Sequence, residues 1–131
     1  NTPYVIFEKY IMNIGKTGEK GESLVAGFMR KNGCTVIKRN YQCRFGEIDI
    51  IAEKEEYIIF TEVKTRREGG MVSPAESVDL KKQRRIALTA EDFLCKYVSP
   101  LQPRFDVAEV TVYKKRDGND GYRLNYIKNA F

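Results

Sequence analysis

Two short segments near the middle of the chain constrain its fold more than any other part of the sequence. Residues 47–52 and 57–65 are rich in β-branched and aromatic residues, which favours strands in both. Only the four charged residues 53–56 separate them, and so short a connection predicts an antiparallel hairpin. We therefore expect a sheet that is built around this central hairpin.

Segments on both sides of the hairpin predict further helices and strands. Helices are predicted from Thr17 to Asn32-Gly33 and from Pro74 to about Tyr97, and strands over 34–41, 105–113 and 122–127. A helix between the strands 57–65 and 105–113 implies that these two strands pair in parallel. This order predicts an α/β fold in which helices flank a mixed central sheet.

The length of 131 residues predicts a single domain that buries its core without disulfide or metal support. Residues 1–16 show no clear period, so we expect an N-terminal arm or a short extra helix there. The core is expected over 17–113. Residues 114–131 are expected to form a C-terminal turn at Asp117-Gly118, with room for an extra strand after it.

Composition narrows the chemistry that the chain can perform. The sequence has no histidine, which excludes Ser-His-Asp and Cys-His nucleophiles, histidine zinc sites and histidine general bases. Its three cysteines form no Cys-x-x-Cys pair, which argues against a disulfide framework or a structural zinc site. The net charge of +5 permits a polyanionic partner such as nucleic acid, without establishing one.

Nothing in the sequence predicts contact with a membrane. The longest uncharged apolar stretch, residues 57–61, is far too short to span a bilayer. The first residues lack the basic segment with which a signal peptide begins. We therefore expect a cytoplasmic protein with no membrane partner.

Acidic and basic side chains on the hairpin are the candidate site. Alternation along a strand places Glu62 and Lys64 on one face of residues 57–65, and Asp49 on one face of the preceding strand. A four-residue loop would place Asp49 diagonal to Glu62, about 7–8 Å away, whereas a tighter loop would pair them at about 4.5–5.5 Å between Cβ atoms. Either register brings two carboxylates together, with Lys64 beside them.

Two carboxylates that face each other need a cation between them. Lys64 could supply it in an ordinary salt bridge, and charged residues at alternate strand positions are often only a solvated face. A divalent metal, Mg²⁺ or Mn²⁺, could instead take oxygen ligands from Asp49, Glu62 and the Val63 carbonyl. Such a site hydrolyses phosphodiesters without histidine, with Lys64 acting on the attacking water or on the charge that builds up at phosphorus.

Several spaced motifs along the chain carry a resemblance to a known family. The motifs are Gly46-Glu47-Ile48-Asp49-Ile50-Ile51-Ala52, Phe60-Thr61-Glu62-Val63-Lys64-Thr65-Arg66, Gly18-x-x-Gly21-Glu22, Arg39-Asn40, Lys82-Gln83-x-x-x-Ile86 and Arg104-Phe105-Asp106-Val107. Together they make the chain similar to the YraN family of bacterial proteins. The resemblance covers about residues 15–113. One departure is Thr61, where the family usually has valine, and this residue points away from the predicted site.

The YraN family in turn resembles the PD-(D/E)xK nucleases, especially archaeal Holliday-junction resolvases. That resemblance implies a restriction-endonuclease-like αβββαβ core, which agrees with the predicted element order. It implies that Asp49 and Glu62 are metal ligands, that Lys64 is the catalytic lysine, and that Glu22 completes the acidic cluster. The alternative for Glu22 is a glutamate that merely suits the first turns of a helix.

Basic and polar residues next to the site predict phosphate binding. They are Arg66, Arg67, Lys81, Lys82, Gln83 and Arg85. A cluster of this kind beside carboxylates suits a nucleic-acid backbone, although a solvated helix face would look the same. We expect a metal-dependent endonuclease acting on structured or branched DNA, and a homodimer if the substrate is a four-way junction. The alternatives are a non-catalytic nucleic-acid-binding module and a protein-interaction domain.

Overall fold

The computed structural model describes residues 4–11, 17–69 and 78–131, and their side chains from residue 21 onward. The elements in chain order are β1 (Tyr4–Ile11), α1 (Thr17–Lys31), β2 (Thr35–Cys43), β3 (Gly46–Lys54), β4 (Tyr57–Arg67), α2 (Leu80–Lys96), β5 (Gln102–Lys114) and β6 (Asp120–Ile127). In this part of the chain, no helix is both long enough and apolar enough to cross a membrane.

All six strands belong to one mixed sheet in the order β1-β6-β5-β4-β3-β2. Among the described strands, only β4 and β5 pair in parallel, and α2 makes the crossover between them, as the sequence predicted. From α1 to β5 the order of elements is αβββαβ. The predicted fold class, an α/β restriction-endonuclease-like core with a mixed sheet flanked by helices, is confirmed.

Each face of the sheet is covered by one helix and has its own apolar core. On one face, α1 packs Val25, Phe28 and Met29 against strand residues that include Ile50 and Ile59. On the other face, α2 packs Ile86, Ala90 and Phe93 against Ile51, Ile58 and Phe60. Burying a side chain of this size stabilises the fold by about 1.5–3 kcal/mol, so the two helices are held firmly against the central hairpin.

The N-terminal segment differs from the prediction. Residues 4–11 form the edge strand β1 and pair antiparallel with β6, from Tyr4↔Ile127 to Ile11↔Gly121, so the expected arm or short helix is wrong there. The run Tyr4-Val5-Ile6-Phe7 has high β propensity. Its partner is the open edge of β6, more than a hundred residues later, which a local pattern cannot reveal.

The turn of the central hairpin is tighter than its charged residues predicted. β3 continues to Lys54, which pairs with Tyr57, so the turn is the two residues Glu55-Glu56 and not 53–56. Glu55 adopts a left-handed conformation with φ 53°, which a turn this short requires. The observed register is therefore the tighter of the two alternatives considered above.

Helix α2 begins later than Pro74, which lies outside the described residues. Asp79 is its N-cap, because its carboxylate accepts the Lys82 backbone N–H at 2.8 Å. Ile86, Ala90 and Phe93 are buried as predicted, whereas Ala87 is exposed. Thr89 is buried in its place, and its hydroxyl donates to the Arg85 carbonyl at 2.7 Å.

Candidate functional site

The sheet divides between β3 and β4, and the candidate site lies at this fork. The last paired residues of the two strands are Ile50 and Thr61. Beyond that pair, β3 stays with β2 as far as Cys43↔Gly46, while β4 stays with β5 as far as Arg67↔Val112. Asp49 and Glu62 are the first residues past the last pair, one on each strand, so both stand at the base of the fork.

Asp49 is turned into the gap between the two strands. Its neighbours Ile48 and Ile50 pack in opposite cores, so the regular alternation predicted along β3 is wrong at this point. On the adjacent strand, Asn40 is left-handed with φ 54°, between the pairs Arg39↔Ile50 and Tyr41↔Ile48. This local twist lets Asp49 Oδ2 accept the Val63 backbone N–H across the fork at 2.7 Å.

An open pocket of about 410 Å³ occupies the fork. Both strands and both helices contribute to its wall, which is lined by Glu22, Gly46, Glu47, Asp49, Glu62, Val63, Lys82, Arg85 and Ile86. The predicted acidic residues Glu22, Asp49 and Glu62 therefore come together around one cavity. Val63 is beside them, and its contact with Asp49 is made by its backbone N–H and not by its carbonyl.

Glu22 reaches the pocket because α1 lies very close to β4. A Cβ atom added to Gly21 would collide with the Thr65 hydroxyl oxygen, so glycine allows this approach without a shift of Thr65. The next residue along the helix is Glu22, whose carboxylate lies 3.9 Å from the Arg39 guanidinium. The position of Glu22 at the pocket thus follows from helix–strand packing.

The electrostatics of the pocket centre on Asp49. Only 8% of this residue is exposed, and the pKa of its carboxyl is raised from 3.8 to about 7, with burial as the largest cause. The charges of Glu62, Glu22 and Glu47 also raise the pKa, while the Val63 N–H opposes the shift. A buried carboxylate that is repelled by three other carboxylates favours either a proton or a cation in the pocket.

Glu62 already has a cationic partner. Its carboxylate forms an ion pair with the Lys82 ammonium, from the first turn of α2. The Glu62 side chain is only 10% exposed, whereas that of Lys82 is 45% exposed. Lys82 was predicted as a phosphate ligand from its helical position, and nothing in the sequence revealed its contact with Glu62.

Lys64 lies near the pocket but outside its wall. It is half-buried on β4, two residues beyond Glu62, and its Cα pairs with that of Glu109 on β5. Alternation along β4 places it on the same side as Glu62, towards α2. Lys64 is not one of the described residues that line the pocket.

The predicted phosphate-binding residues are divided between different surfaces. Arg85 lines the pocket, and Lys81 and Arg66 are exposed. Arg67 instead donates to Asp120 at 3.1 and 3.3 Å, because alternation sends it to the opposite face from Glu62. The Gln83 amide donates to the Val78 carbonyl at 2.8 Å, so it belongs to the start of α2 and not to the pocket.

The pocket offers oxygen donors of the kind that hard divalent cations prefer. In the described ranges, no three histidine, cysteine, aspartate or glutamate side chains lie close enough together to hold an ion as they stand. Asp49 nevertheless carries an unfavourable buried charge, and Glu62 requires a cation that Lys82 now supplies. In donor chemistry and in charge, these residues suit a divalent cation.

Comparison with known sequences identifies the family. Residues 21–110 match the uncharacterised protein family UPF0102. The chain belongs to this family. It is 41% identical over 122 residues to a UPF0102 protein of Caldicellulosiruptor bescii, covering 92% of this chain and 100% of that one. It is 40% identical over 116 residues to a UPF0102 protein of Acetivibrio thermocellus, covering 87% and 89% of the two chains.

A UPF0102 protein of Clostridium perfringens is 40% identical over 125 residues, covering 95% of this chain and 98% of that one. UPF0102 is the family that the motifs indicated under the name YraN, so this resemblance is confirmed. The matched range includes Glu22, Asp49 and Glu62 and also Lys82. The family is uncharacterised, so membership assigns none of these residues a role.

Proposed function

We propose that this UPF0102 protein is a cytoplasmic, Mg²⁺- or Mn²⁺-dependent endonuclease that hydrolyses phosphodiester bonds in structured or branched DNA. The observation that carries the proposal is the acidic fork. Asp49 and Glu62 stand where two central strands separate, in an open pocket that also contains Glu22, Lys82 and Arg85. The resemblance of the sequence motifs to PD-(D/E)xK nucleases supports the same assignment.

The pocket residues have distinct roles in this proposal. Asp49 and Glu62 supply carboxylate oxygens, the Val63 carbonyl adds a third ligand, and Glu22 completes the acidic wall from the other face of the sheet. A bound divalent cation would polarise a phosphate oxygen and would lower the pKa of a water molecule, so that the deprotonated water can attack phosphorus. The Val63 N–H holds Asp49 in place for this role, because it binds only one of the two carboxylate oxygens.

The basic residues hold the substrate. Arg85 lines the pocket wall and Lys81 and Arg66 are exposed, and in this proposal they contact phosphates on either side of the scissile bond. Lys64 follows Glu62 on the same side of β4, and in this proposal its ammonium acts on the attacking water or on the phosphoryl oxygens. A four-way junction would require two such sites, and hence a homodimer.

A cleavage assay tests the proposal directly. Labelled duplex, single-stranded, flap and four-way-junction DNAs would be incubated with the protein in Mg²⁺, Mn²⁺ or EDTA. We expect cutting that EDTA abolishes and that Asp49→Asn and Lys64→Ala each reduce by at least about 100-fold. The matched control is Glu91→Gln, an exposed carboxylate on α2 that should cut like the wild type. Cutting that survives both site variants would reject the assignment.

One observation favours the runner-up, a nucleic-acid-binding module without hydrolytic activity. The Glu62–Lys82 ion pair neutralises one of the two carboxylates, as a purely structural ion cluster would. Such a module would bind DNA with a strong salt dependence and would not nick it in any metal. Tight, structure-selective binding without cleavage would make this the function.

A further inference from the structure

The two carboxylates at the fork have different partners. Asp49 accepts a backbone N–H, which leaves its charge in place. Glu62 is paired with the Lys82 ammonium, which neutralises it. Because the Glu62 side chain is almost fully buried, an unpaired charge there would be costly, and some cation must accompany it.

Lys82 stands in a position that a helix does not favour for a cation. The first turn of α2 contains no acidic residue, yet it contains Lys81 and Lys82, the reverse of what the helix dipole prefers. The backbone of Lys82 is held by the Asp79 cap, and Ile86, one turn later, is anchored in the core. Lys82 is therefore held at the pocket by the rigid start of the helix, and contact with Glu62 offsets its unfavourable position.

The Lys82 ammonium is not locked in the pocket. Nearly half of its side chain is exposed, and its four-carbon stem can swing towards solvent from a fixed backbone. Arg85, one turn along the same helix, lines the same pocket. An ammonium that leaves Glu62 would therefore remain beside Arg85, where two cations could hold one phosphate group.

We propose that the Lys82 ammonium and a divalent cation compete for the Glu62 carboxylate, so that cation binding displaces Lys82 and releases it to a phosphate group of the substrate. The inference rests on the proposed function, since it takes the fork as the cation site. It goes further by giving Lys82 two successive partners. Lys82 contacts the substrate only after its release, and its pairing with Glu62 lowers the affinity for the cation.

Calorimetric titration with Mn²⁺, in the absence of DNA, tests the competition. We expect Lys82→Gln to bind Mn²⁺ about three- to tenfold more tightly than the wild type, because the competing charge is gone. Lys81→Gln is the matched control: it removes the same charge from the next residue, which is exposed, and should change the affinity by less than about twofold. Lys82→Arg keeps the positive charge and should not gain affinity.

A second readout follows Lys82 in the wild-type protein. Acetylation of lysine amines by a water-soluble reagent would be followed by mass spectrometry with and without Mn²⁺. We expect the rate at Lys82 to rise severalfold when Mn²⁺ is added, and the rate at Lys81 to stay unchanged. Melting curves of each variant, recorded beforehand, would establish that all of them are folded under the conditions of the titration.

The outcomes separate this inference from the proposed function. If Lys82→Gln binds Mn²⁺ no better than Lys81→Gln, or if Mn²⁺ leaves Lys82 acetylation unchanged, Lys82 only fastens α2 to β4 and the competition is rejected, even if the protein cuts DNA. If the expected shifts appear but no DNA is cut, the competition stands and the nuclease fails. If neither the wild type nor Lys82→Gln binds Mn²⁺, both are rejected.

Discussion

Replacing Asp49 by asparagine should stabilise the protein at neutral pH in the presence of EDTA. The carboxyl is almost fully buried and is repelled by three other carboxylates, so its ionisation opposes folding. Asparagine has the same shape, cannot ionise, and keeps a side-chain oxygen that can accept the Val63 N–H. The substitution therefore removes the unfavourable charge while preserving the contact across the fork.

The size and direction of the effect follow from the raised pKa. In the folded protein the pKa is about 7, against 3.8 for the ordinary group, so between these values the folded state binds more protons than the unfolded state. The free energy of unfolding of the wild type then falls as pH rises from about 4 to about 7. The rise in pKa from 3.8 to about 7 corresponds to about 4 kcal/mol of unfolding free energy. The wild type has this stability in full below pH 4 and has lost it in full above pH 7.

Urea denaturation of both proteins in EDTA, from pH 4 to pH 8.5, measures this difference. At pH 4 the two unfolding free energies should agree, and at pH 8 Asp49→Asn should be more stable by up to about 4 kcal/mol, or about 15 °C in Tm. Glu91→Gln, an exposed carboxylate, should follow the wild-type curve at every pH. Parallel curves for wild type and Asp49→Asn, or a less stable Asp49→Asn at pH 8, would refute the electrostatic reasoning.

Three further predictions concern the residues that build and surround the fork. Mg²⁺ or Mn²⁺ at millimolar concentration should raise the Tm of the wild type at pH 8 but not that of Asp49→Asn, as scanning calorimetry would measure. Gly21→Ala should lower the free energy of unfolding by about 1–3 kcal/mol, because its Cβ would meet the Thr65 hydroxyl, and the additional change Thr65→Ala should restore part of the loss in urea denaturation. Asp106→Asn should cost about 3–5 kcal/mol in the same assay, because it leaves the partly buried Arg104 guanidinium without its anionic partner.

Much of the fold could be predicted because its signals are local. Helix α1 and the strands of the central hairpin follow from hydrophobic periodicity and β propensity within short windows. The parallel pairing of β4 with β5 follows from the helix between them, since such a crossover must return in the same direction. β1 could not be predicted in the same way, because its stability as a strand depends on pairing with β6 at the far end of the chain.

Sequence reasoning identified the acidic residues of the pocket but not how they are arranged. Asp49 and Glu62 were placed together correctly, because the spacing of a hairpin restricts the register to few alternatives. Their orientation required the left-handed Asn40 and the divergence of β3 from β4, which alternation does not predict. The partners of Lys82 and Arg67 depend on contacts between separate elements, so a list of nearby basic residues could not divide them between the two faces of the sheet.

The fork also explains why an acidic pocket can exist in the middle of an otherwise apolar sheet. A regular hairpin would have placed Asp49 and Glu62 on a packed face, where neither backbone donors nor solvent could reach them. Divergence of the strands exposes the Val63 N–H to Asp49 and opens the gap through which Lys82 reaches Glu62. Asp49 remains electrostatically unfavourable when it is ionised, and its raised pKa reflects this. Among its described contacts, no side-chain cation neutralises its charge. A site with one uncompensated carboxylate is destabilising by itself. A cation from solution would neutralise that carboxylate, and the stability regained would contribute to the binding energy of the cation.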